Sequence, residues 1–181
     1  MKDSAQKQAI ADAFKKHFQH FGFKKTSVDD ISDELHISKK TIYQYFSTKE
    51  EIFYYVVSQI ARQYLKGMET DLKQFPTWRE KFAQLIHMIF NEARKWLKEN
   101  DAFEFRYKYE IAELAFKDAY SELMKQLLQQ GIEAGEFASA PVDLTVRMIQ
   151  GMISESMRLV SANPDLAVEE HLSGAILKLL Q

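Results

Sequence analysis

The sequence predicts an all-α protein with a small N-terminal domain and a larger helical C-terminal domain. Three observations support this fold class. Apolar residues recur at helical spacing in almost every segment of the chain. Short clusters of Ser, Thr, Asn, Asp, Gly or Pro separate these segments, as expected where helices begin and end. The 181 residues are 46% apolar, which is ample for a packed core.

The first helix is predicted between Ser4 and Phe21, with Gly22 as its stop. His17 and His20 lie at a spacing that metal ligands use on helices, but two histidines do not complete a metal site. We therefore interpret both as ordinary surface or core residues. The apolar face of this helix is predicted to consist of Ile10, Ala13, Phe14, Phe18 and Phe21.

Two short helical patterns meet across a tight turn between residues 26 and 49, which predicts a helix-turn-helix. Thr26 and Ser27 are candidate caps for the first helix. Asp29 and Asp30 fall in its first turn, where negative charge suits the positive end of the helix dipole.

The second helix of this pair opens at a further cap, Ser38, and places Ile42 and Phe46 on one face. Ser47 and Glu50 form a capping box that begins the next helix. The second helix is therefore limited to roughly three turns, and a helix that short needs its neighbours for stability.

The polar face of this second helix suits duplex DNA. Lys39 and Lys40 lie in its first turn and oppose the helix dipole, so a bound polyanion would relieve an unfavourable interaction. Lysine suits phosphates or guanine edges, and glutamine, here Gln44, suits adenine. The alternative is an ordinary helical hairpin with a solvated charged face.

The segments GFKKTSVDDIS and ISKKTIYQYFSTKEEIF resemble the DNA-binding domain of TetR-type bacterial transcription regulators, from about Lys7 to Val57. His36 stands where that family often has glycine, and histidine tolerates the left-handed conformation better than most residues. The resemblance implies phosphate contacts from Thr26, Ser27, Tyr43, Tyr45 and Lys49. It implies contacts with bases or nearby phosphates from Ser38, Lys39, Lys40, Thr41 and Gln44.

A long helix is predicted from Ser47 to Met68, and it would connect the two domains, 1–48 and 49–181. Gln74 to Pro76 break the chain, and Thr77 caps a further helix that ends at Asn100 and Asp101.

The segment from Phe103 to Tyr109 alternates aromatic and charged residues, which taken alone is the period of a strand. A lone strand is not stable, the neighbouring segments are helical, and the resemblance implies an all-α domain, so we predict a helix here. Another helix is predicted from Ile111 to Gln130, followed by glycine stops.

The last two helices are predicted at Asp143 to Ala162 and Asp165 to Gln181. The first of them is apolar over more than one stripe, so it has two faces to cover. The resemblance implies that these helices pair two chains as a homodimer; the alternative is that they only complete the core of one chain. The predicted dimer interface is Met148, Gly151, Met152, Leu159, Leu172, Ala175, Ile176 and Leu179.

Aromatic residues are unusually frequent between Trp96 and Tyr120. The resemblance implies an apolar ligand pocket in this domain, and the acidic residues among the rings favour a flat, apolar or cationic compound. The alternative is that the rings only pack the core. The predicted ligand-binding residues are Trp96, Phe103, Tyr107, Phe116, Tyr120, Met124, Met148 and Met152.

These observations predict a DNA-binding transcription regulator, namely a ligand-responsive repressor that binds a palindromic operator as a homodimer. In the alternative, the C-terminal domain docks a protein partner instead of a small molecule. Motifs for catalysis, cofactors and metals are missing, so we expect no enzyme, cofactor or metal site. The chain lacks cysteine, an apolar signal core and a bilayer-spanning run, which predicts a cytoplasmic protein with no membrane partner.

Overall fold

The computed structural model describes the backbone of residues 2–99 and 102–181, and the side chains of residues 4–95 and 110–181. The described residues form eight α-helices and no strand, which confirms the all-α class. The helices are α1 (Lys2–Lys25), α2 (Val28–Glu34), α3 (Lys39–Tyr45), α4 (Lys49–Leu72), α5 (Trp78–Glu99), α6 (Ala102–Glu133), α7 (Val142–Ala162) and α8 (Glu169–Leu179).

The chain divides into two compact units. The first contains Met1–Ala61 and Ala102–Phe116, and the second contains Arg62–Asp101 and Lys117–Gln181. Both α4 and α6 therefore contribute residues to each unit. None of the helices in the described part of the chain is long and apolar enough to cross a membrane.

The core of the first unit forms where α1 packs against α2, α3 and α4. Ile10, Phe14, Ile31 and Ile42 are fully enclosed there, together with Ile52. Burial of such side chains contributes about 1.5–3 kcal/mol each, which compensates for the shortness of α2 and α3.

Two expectations for α1 differ in outcome. Gly22 leaves the helical conformation at φ 79° and ψ 167°, a region that favours glycine, so its role as a helix stop is confirmed. Phe21 was expected on the apolar face but is 50% exposed: it lies at the end of the helix, beside Gly22, and its ring packs against those of His17 and His20 rather than against the enclosed core.

Local caps define both helices of the helix-turn-helix. The Ser27 hydroxyl accepts a hydrogen bond from the Asp30 amide at 3.0 Å, and the Ser38 hydroxyl accepts one from the Thr41 amide at 3.0 Å. The turn between them holds His36 at φ 52°, so the left-handed turn forms without glycine. The second helix, α3, has seven residues, about two turns rather than the three expected.

The residues that cap the start of α4 differ from those predicted. The Glu51 amide donates to the Thr48 hydroxyl at 3.0 Å, and the Glu51 carboxylate accepts from the Ser47 amide at 2.6 Å. The capping pair is therefore Thr48 with Glu51, one residue later than Ser47 with Glu50. Both pairs have suitable chemistry for a capping box, and Phe46 and Ile52 on either side of them are buried in the core of the first unit.

In the second unit, α5 begins as predicted at Thr77. The Glu80 amide donates to the Thr77 hydroxyl at 3.1 Å, and the Thr77 amide donates to the Glu80 carboxylate at 3.1 Å. These two bonds complete a reciprocal capping box. The face of α5 that follows is fully buried at Phe82, Leu85, Ile86 and Phe90.

The segment with a strand-like pattern is helical, as predicted. It lies in α6, which runs without a break from Ala102 to Glu133, so the helix expected from Ile111 begins nine residues earlier. The backbone hydrogen bonds of one long helix outweigh the strand-like alternation of aromatic and charged residues in this segment.

The last two helices match the expectation in number but not in every boundary. α7 spans Val142–Ala162, whereas α8 begins at Glu169, four residues later than predicted. The intervening loop is held by Arg94 of α5, which donates to the Glu169 carboxylate at 2.8 Å and to the carbonyl of Pro164.

Candidate nucleic-acid interface

The outward face of α3 is polar and accessible. Ile42 is fully buried and fixes the rotation of the helix, so the residues on either side of it project away from the core. Tyr43 is 47% exposed, although its ring is large and apolar. Lys40 and Gln44 are also exposed and lie one turn apart on α3. This combination of a cation, a phenol and an amide suits the edges and backbone of duplex DNA.

The two lysines at the start of α3 have different surroundings. Lys39 forms an ion pair with Asp29 in the first turn of α2. That hydrogen bond is the main reason why the pKa of Lys39 is raised. The charge of Lys39 is therefore partly compensated within the protein, whereas the described residues include no ion pair for Lys40.

The serine and threonine hydroxyls at the helix starts serve as caps. Those of Ser38 and Thr41 lie 2.9 Å apart, and Ser38 also accepts the Thr41 amide. Ser27 has the same capping role for α2. The Ser27 hydroxyl keeps its own proton for a phosphate oxygen, whereas one of the Ser38 and Thr41 hydroxyls donates to the other, so that pair retains one proton.

Thr26 and Lys49 are placed differently from the other predicted contacts. Thr26 is 1% exposed, and its hydroxyl donates to the Gly22 carbonyl at 2.8 Å. The half-buried Lys49 ammonium donates to the carbonyls of Phe23 at 2.7 Å and Thr26 at 2.9 Å. In the free protein both residues hold the loop between α1 and α2, so their phosphate contacts stay predictions that need these bonds to rearrange.

Aromatic packing supports the end of α3. Tyr45 is half-buried and packs against the core cluster of the first unit, as Tyr55 does. The ammonium of Lys7 lies 4.8 Å from the ring centre of Phe46 and 4.9 Å from that of Tyr55. Sequence reasoning missed this role of Lys7, because no local signal links it to rings about forty residues away.

Comparison with known proteins identifies this arrangement. Residues 10–56 match the family of bacterial regulatory proteins called the tetR family, and residues 73–158 match the tetracyclin repressor-like C-terminal domain. The chain belongs to the TetR family of transcription regulators. The first match contains the whole helix-turn-helix, and the second covers most of α5, α6 and α7.

Full-length relatives of this TetR-family regulator are also regulators. The fatty acid metabolism regulator protein of Bacillus subtilis (strain 168) is 27% identical over 179 residues, covering 94% of this chain and 91% of the relative. The crystal structure of FadR from Bacillus subtilis in complex with stearoyl-CoA has a TM-score of 0.56 at 27% identity, with 96% of each chain covered. RolR with resorcinol has a TM-score of 0.77 at 16% identity, covering 99% of this chain and 89% of RolR.

The residues predicted for dimerisation of the TetR-family regulator fall into two groups. Leu172 and Ile176 are buried within the single chain, so their side chains pack in its own core. The other group is partly or fully exposed on α7 and α8: Met148, Gly151, Met152, Leu159, Ala175 and Leu179. Met148 is 51% exposed, which fits this outer face better than the interior pocket for which it was also predicted.

The predicted ligand-binding residues are only partly described. Trp96, Phe103 and Tyr107 lie outside the residues whose side chains the structure describes. In the second unit Tyr120 and Met124 are buried, and Met152 is half-buried. In the first unit Phe116 packs against the cluster that contains Phe23 and Phe53.

Proposed function

We propose that this regulator represses transcription by binding a palindromic operator as a homodimer, and that a small ligand in its C-terminal domain releases it from DNA. The domains are residues 1–48 for DNA binding and 49–181 for ligand binding and dimerisation. We assign it no catalytic activity, and it acts in the cytoplasm, where bacterial operator DNA lies. The observation that carries the proposal is the exposed face of α3, anchored by buried Ile42.

DNA contact by this face follows from its chemistry. Lys40 supplies an uncompensated charge, Gln44 an amide that pairs with adenine, and Tyr43 a hydroxyl for phosphate. The capping hydroxyls of Ser27 and Ser38 lie at the two helix starts, where backbone amides also favour anions. Half-sites read by such a helix are short.

We expect a homodimer because the half-site read by one recognition helix is short. A recognition helix of seven residues reaches too few base pairs to select one site in a genome, so two copies are needed on an inverted repeat. The apolar side chains of Leu144, Met148 and Leu159 on α7 and Leu179 on α8 are each at least 41% exposed. Exposed apolar side chains on adjacent helices are typical of a surface that a second chain covers.

Ligand control is supported by the relatives. The full-length relative FadR was crystallised with stearoyl-CoA, and RolR, which shares the fold, with resorcinol. A C-terminal domain that docks a protein partner is not favoured by these comparisons. Any ligand must bind the DNA-incompetent conformation more tightly than the competent one, since otherwise it shifts no equilibrium.

The test combines operator selection with a ligand panel. Purified regulator is bound to a random duplex library, and the selected duplexes are expected to contain an inverted repeat. Stearoyl-CoA, resorcinol and apolar aromatic amines are then titrated while operator binding is followed by fluorescence anisotropy. Release by one class supports the proposal. Selection of an operator with no release and no rise in thermal stability by any compound would favour the protein-partner alternative.

A further inference from the structure

An acid of α2 pairs with a lysine on the DNA-facing surface of α3. Asp29 lies in the first turn of α2, Lys39 is the first residue of α3, and their side chains form an ion pair. The side chains remain 61% and 53% exposed, so the pair lies on the surface of the first unit. Lys39 adjoins Lys40, which belongs to the face of α3 proposed to contact DNA.

The stability of the fold does not require this ion pair. A pair of exposed charges contributes little to the free energy of folding, because water screens the charges and two side chains lose their freedom. A negative charge in the first turn of α2 suits the helix dipole, but Asp30 supplies one at the next position. Asp30 is also exposed, and within the described part of the chain it forms no ion pair. The two acids therefore differ in that Asp29 alone pairs with Lys39.

The carboxylate of Asp29 lies close to predicted phosphate contacts. It is two residues from Ser27, whose hydroxyl keeps a proton for a phosphate oxygen. A carboxylate at this place repels the phosphates of any duplex, whatever its sequence, and therefore weakens sequence-independent binding. The effect of Asp29 on Lys39 acts in the same direction.

Pairing changes what the Lys39 ammonium can bind. Because Asp29 compensates its charge, Lys39 releases fewer counterions from DNA and adds less to sequence-independent binding. A lysine ammonium has three protons, so pairing with one carboxylate oxygen leaves protons for further acceptors. The pair also restricts the direction of those protons, and a guanine edge requires a donor at a more closely defined position than a phosphate does. Pairing therefore favours a base contact over a backbone contact.

We propose that Asp29 is a specificity-determining residue, which suppresses binding to arbitrary DNA by pairing with Lys39 and directs that lysine toward a guanine edge in the operator. This inference rests on the proposed DNA contact by α3 and adds an acid to that interface. The neighbouring Lys40, for which the described residues include no ion pair, supplies the attraction to the DNA backbone. Two adjacent lysines of one helix thus have separate roles.

The first experiment compares the two acids in the first turn of α2. Asp29→Asn and Asp30→Asn each remove one negative charge and one acid that suits the helix dipole, but only Asp29→Asn also frees a lysine. Fluorescence anisotropy measures the binding of the wild type and both variants to a random duplex and to the selected operator at several salt concentrations. Melting temperatures, expected to be similar for the two variants, show that both are folded.

Asp29→Asn is expected to bind the random duplex at least about fivefold more tightly at ~0.1 M salt, with the magnitude of the salt slope increased by about one. Operator affinity should increase less, so the ratio of operator to random affinity falls at least about threefold. Asp30→Asn is the matched control, and its ratio should stay within about twofold of the wild-type value. Equal ratios for the two variants overturn the proposal.

Further variants test whether the effect passes through Lys39. Asp29→Glu keeps a carboxylate for the ion pair and is expected to retain most of the wild-type ratio. In the Lys39→Met background, Asp29→Asn should have no larger effect than Asp30→Asn, because no lysine remains to be freed. A full effect of Asp29→Asn without Lys39 would show that repulsion of phosphates by Asp29 is sufficient, and the proposed pairing role is then wrong.

Operator selection tests the base contact directly. When the selection from the random library is repeated with Asp29→Asn, a preference for guanine at one position of each half-site is expected to relax. Selection with Asp30→Asn should keep that preference. Retention of every preferred base by Asp29→Asn overturns the base contact.

The results also separate this inference from the proposed function. If the wild type selects no operator, repression through a palindromic site is wrong, and the random duplex still shows whether Asp29→Asn gains more affinity than Asp30→Asn. If an operator is selected and a ligand releases it while the two variants behave alike, the proposed function stands and only the role of Asp29 is wrong.

Discussion

The side-chain ammonium of Lys49 donates a hydrogen bond to the main-chain carbonyl of Phe23 at 2.7 Å. It also donates to the Thr26 carbonyl at 2.9 Å and lies 4.3 Å from the centre of the Phe23 ring. The first residue of α4 is thus tied to the end of α1 and to the loop that follows it. Because Phe23, near the end of α1, also packs against Phe53 of α4 and Ala112 of α6, this end of α1 is coupled to both helices within the first unit.

Replacing Lys49 tests whether this residue positions the loop or contacts DNA. Lys49→Met is expected to lower the free energy of unfolding by about 2–4 kcal/mol, because two hydrogen bonds from a charged donor are lost. Chemical denaturation measures this change. Lys66→Met, at an exposed position of α4, is the control and should remain close to the wild type.

The salt dependence of operator binding distinguishes the two roles of Lys49. A positioning residue weakens binding without changing the slope of log Kd against log salt concentration. A direct phosphate contact reduces the magnitude of that slope by about one. Unchanged stability with a reduced slope would contradict the positioning role.

The two lysines of α3 are expected to differ in DNA binding. Lys40→Ala should weaken binding to all sequences and reduce the magnitude of the salt slope by about one, because it removes an uncompensated charge. Lys39→Ala should have a smaller effect, since Asp29 already pairs with Lys39 in the free protein. Anisotropy titrations at several salt concentrations measure both. A larger effect of Lys39→Ala would show that the ion pair opens on DNA.

A charge on the exposed face of α7 tests the dimer. A side chain added at Gly151 meets no atom within 4 Å in the single chain, so Gly151→Glu should leave each chain folded. In the dimer the same carboxylate would be buried without a partner, which costs several kcal/mol. We expect a monomer by sedimentation velocity at micromolar concentration and loss of specific operator binding.

The control for the dimer experiment is Gly67→Glu. That glycine on α4 also has open space around it, and the variant should sediment and bind as the wild type does. A wild-type protein that sediments as a monomer would refute the dimer independently of either variant.

The ion pair between Arg94 and Glu169 predicts a specific pH dependence. The hydrogen bond from Arg94 lowers the pKa of Glu169 below its ordinary value of 4.5. Because the pKa is lower in the folded state than in the unfolded state, this stabilisation is fully present above pH 4.5 and is lost as the pH falls through the folded value.

Glu169→Gln should therefore flatten the decrease in stability below pH 4.5 and lower the free energy of unfolding at neutral pH by about 1–3 kcal/mol. Thermal unfolding between neutral and acid pH measures both effects. Glu170→Gln changes the exposed neighbour in the same turn and should keep the wild-type profile. Identical acid profiles for the wild type and Glu169→Gln would contradict the prediction.

Local signals in the sequence determined most helix boundaries. Ser27, Ser38 and Thr77 cap the helices that they were predicted to cap, and Gly22 interrupts the first helix. Such features depend on hydrogen bonds between residues three or four apart, or on one backbone conformation, so the sequence contains all the information they need. The segments on either side of His36 carried the family resemblance, and His36 itself departs from the family pattern.

Tertiary packing decided what local patterns left open. The choice of Thr48 over Ser47 as the cap of α4, the exposure of Phe21 and the burial of Leu172 depend on which helices meet. The partners of Lys49 lie 23 and 26 residues away. Burial and hydrogen bonding between sequence-distant groups leave no periodic signal in the chain, so only the folded structure shows them.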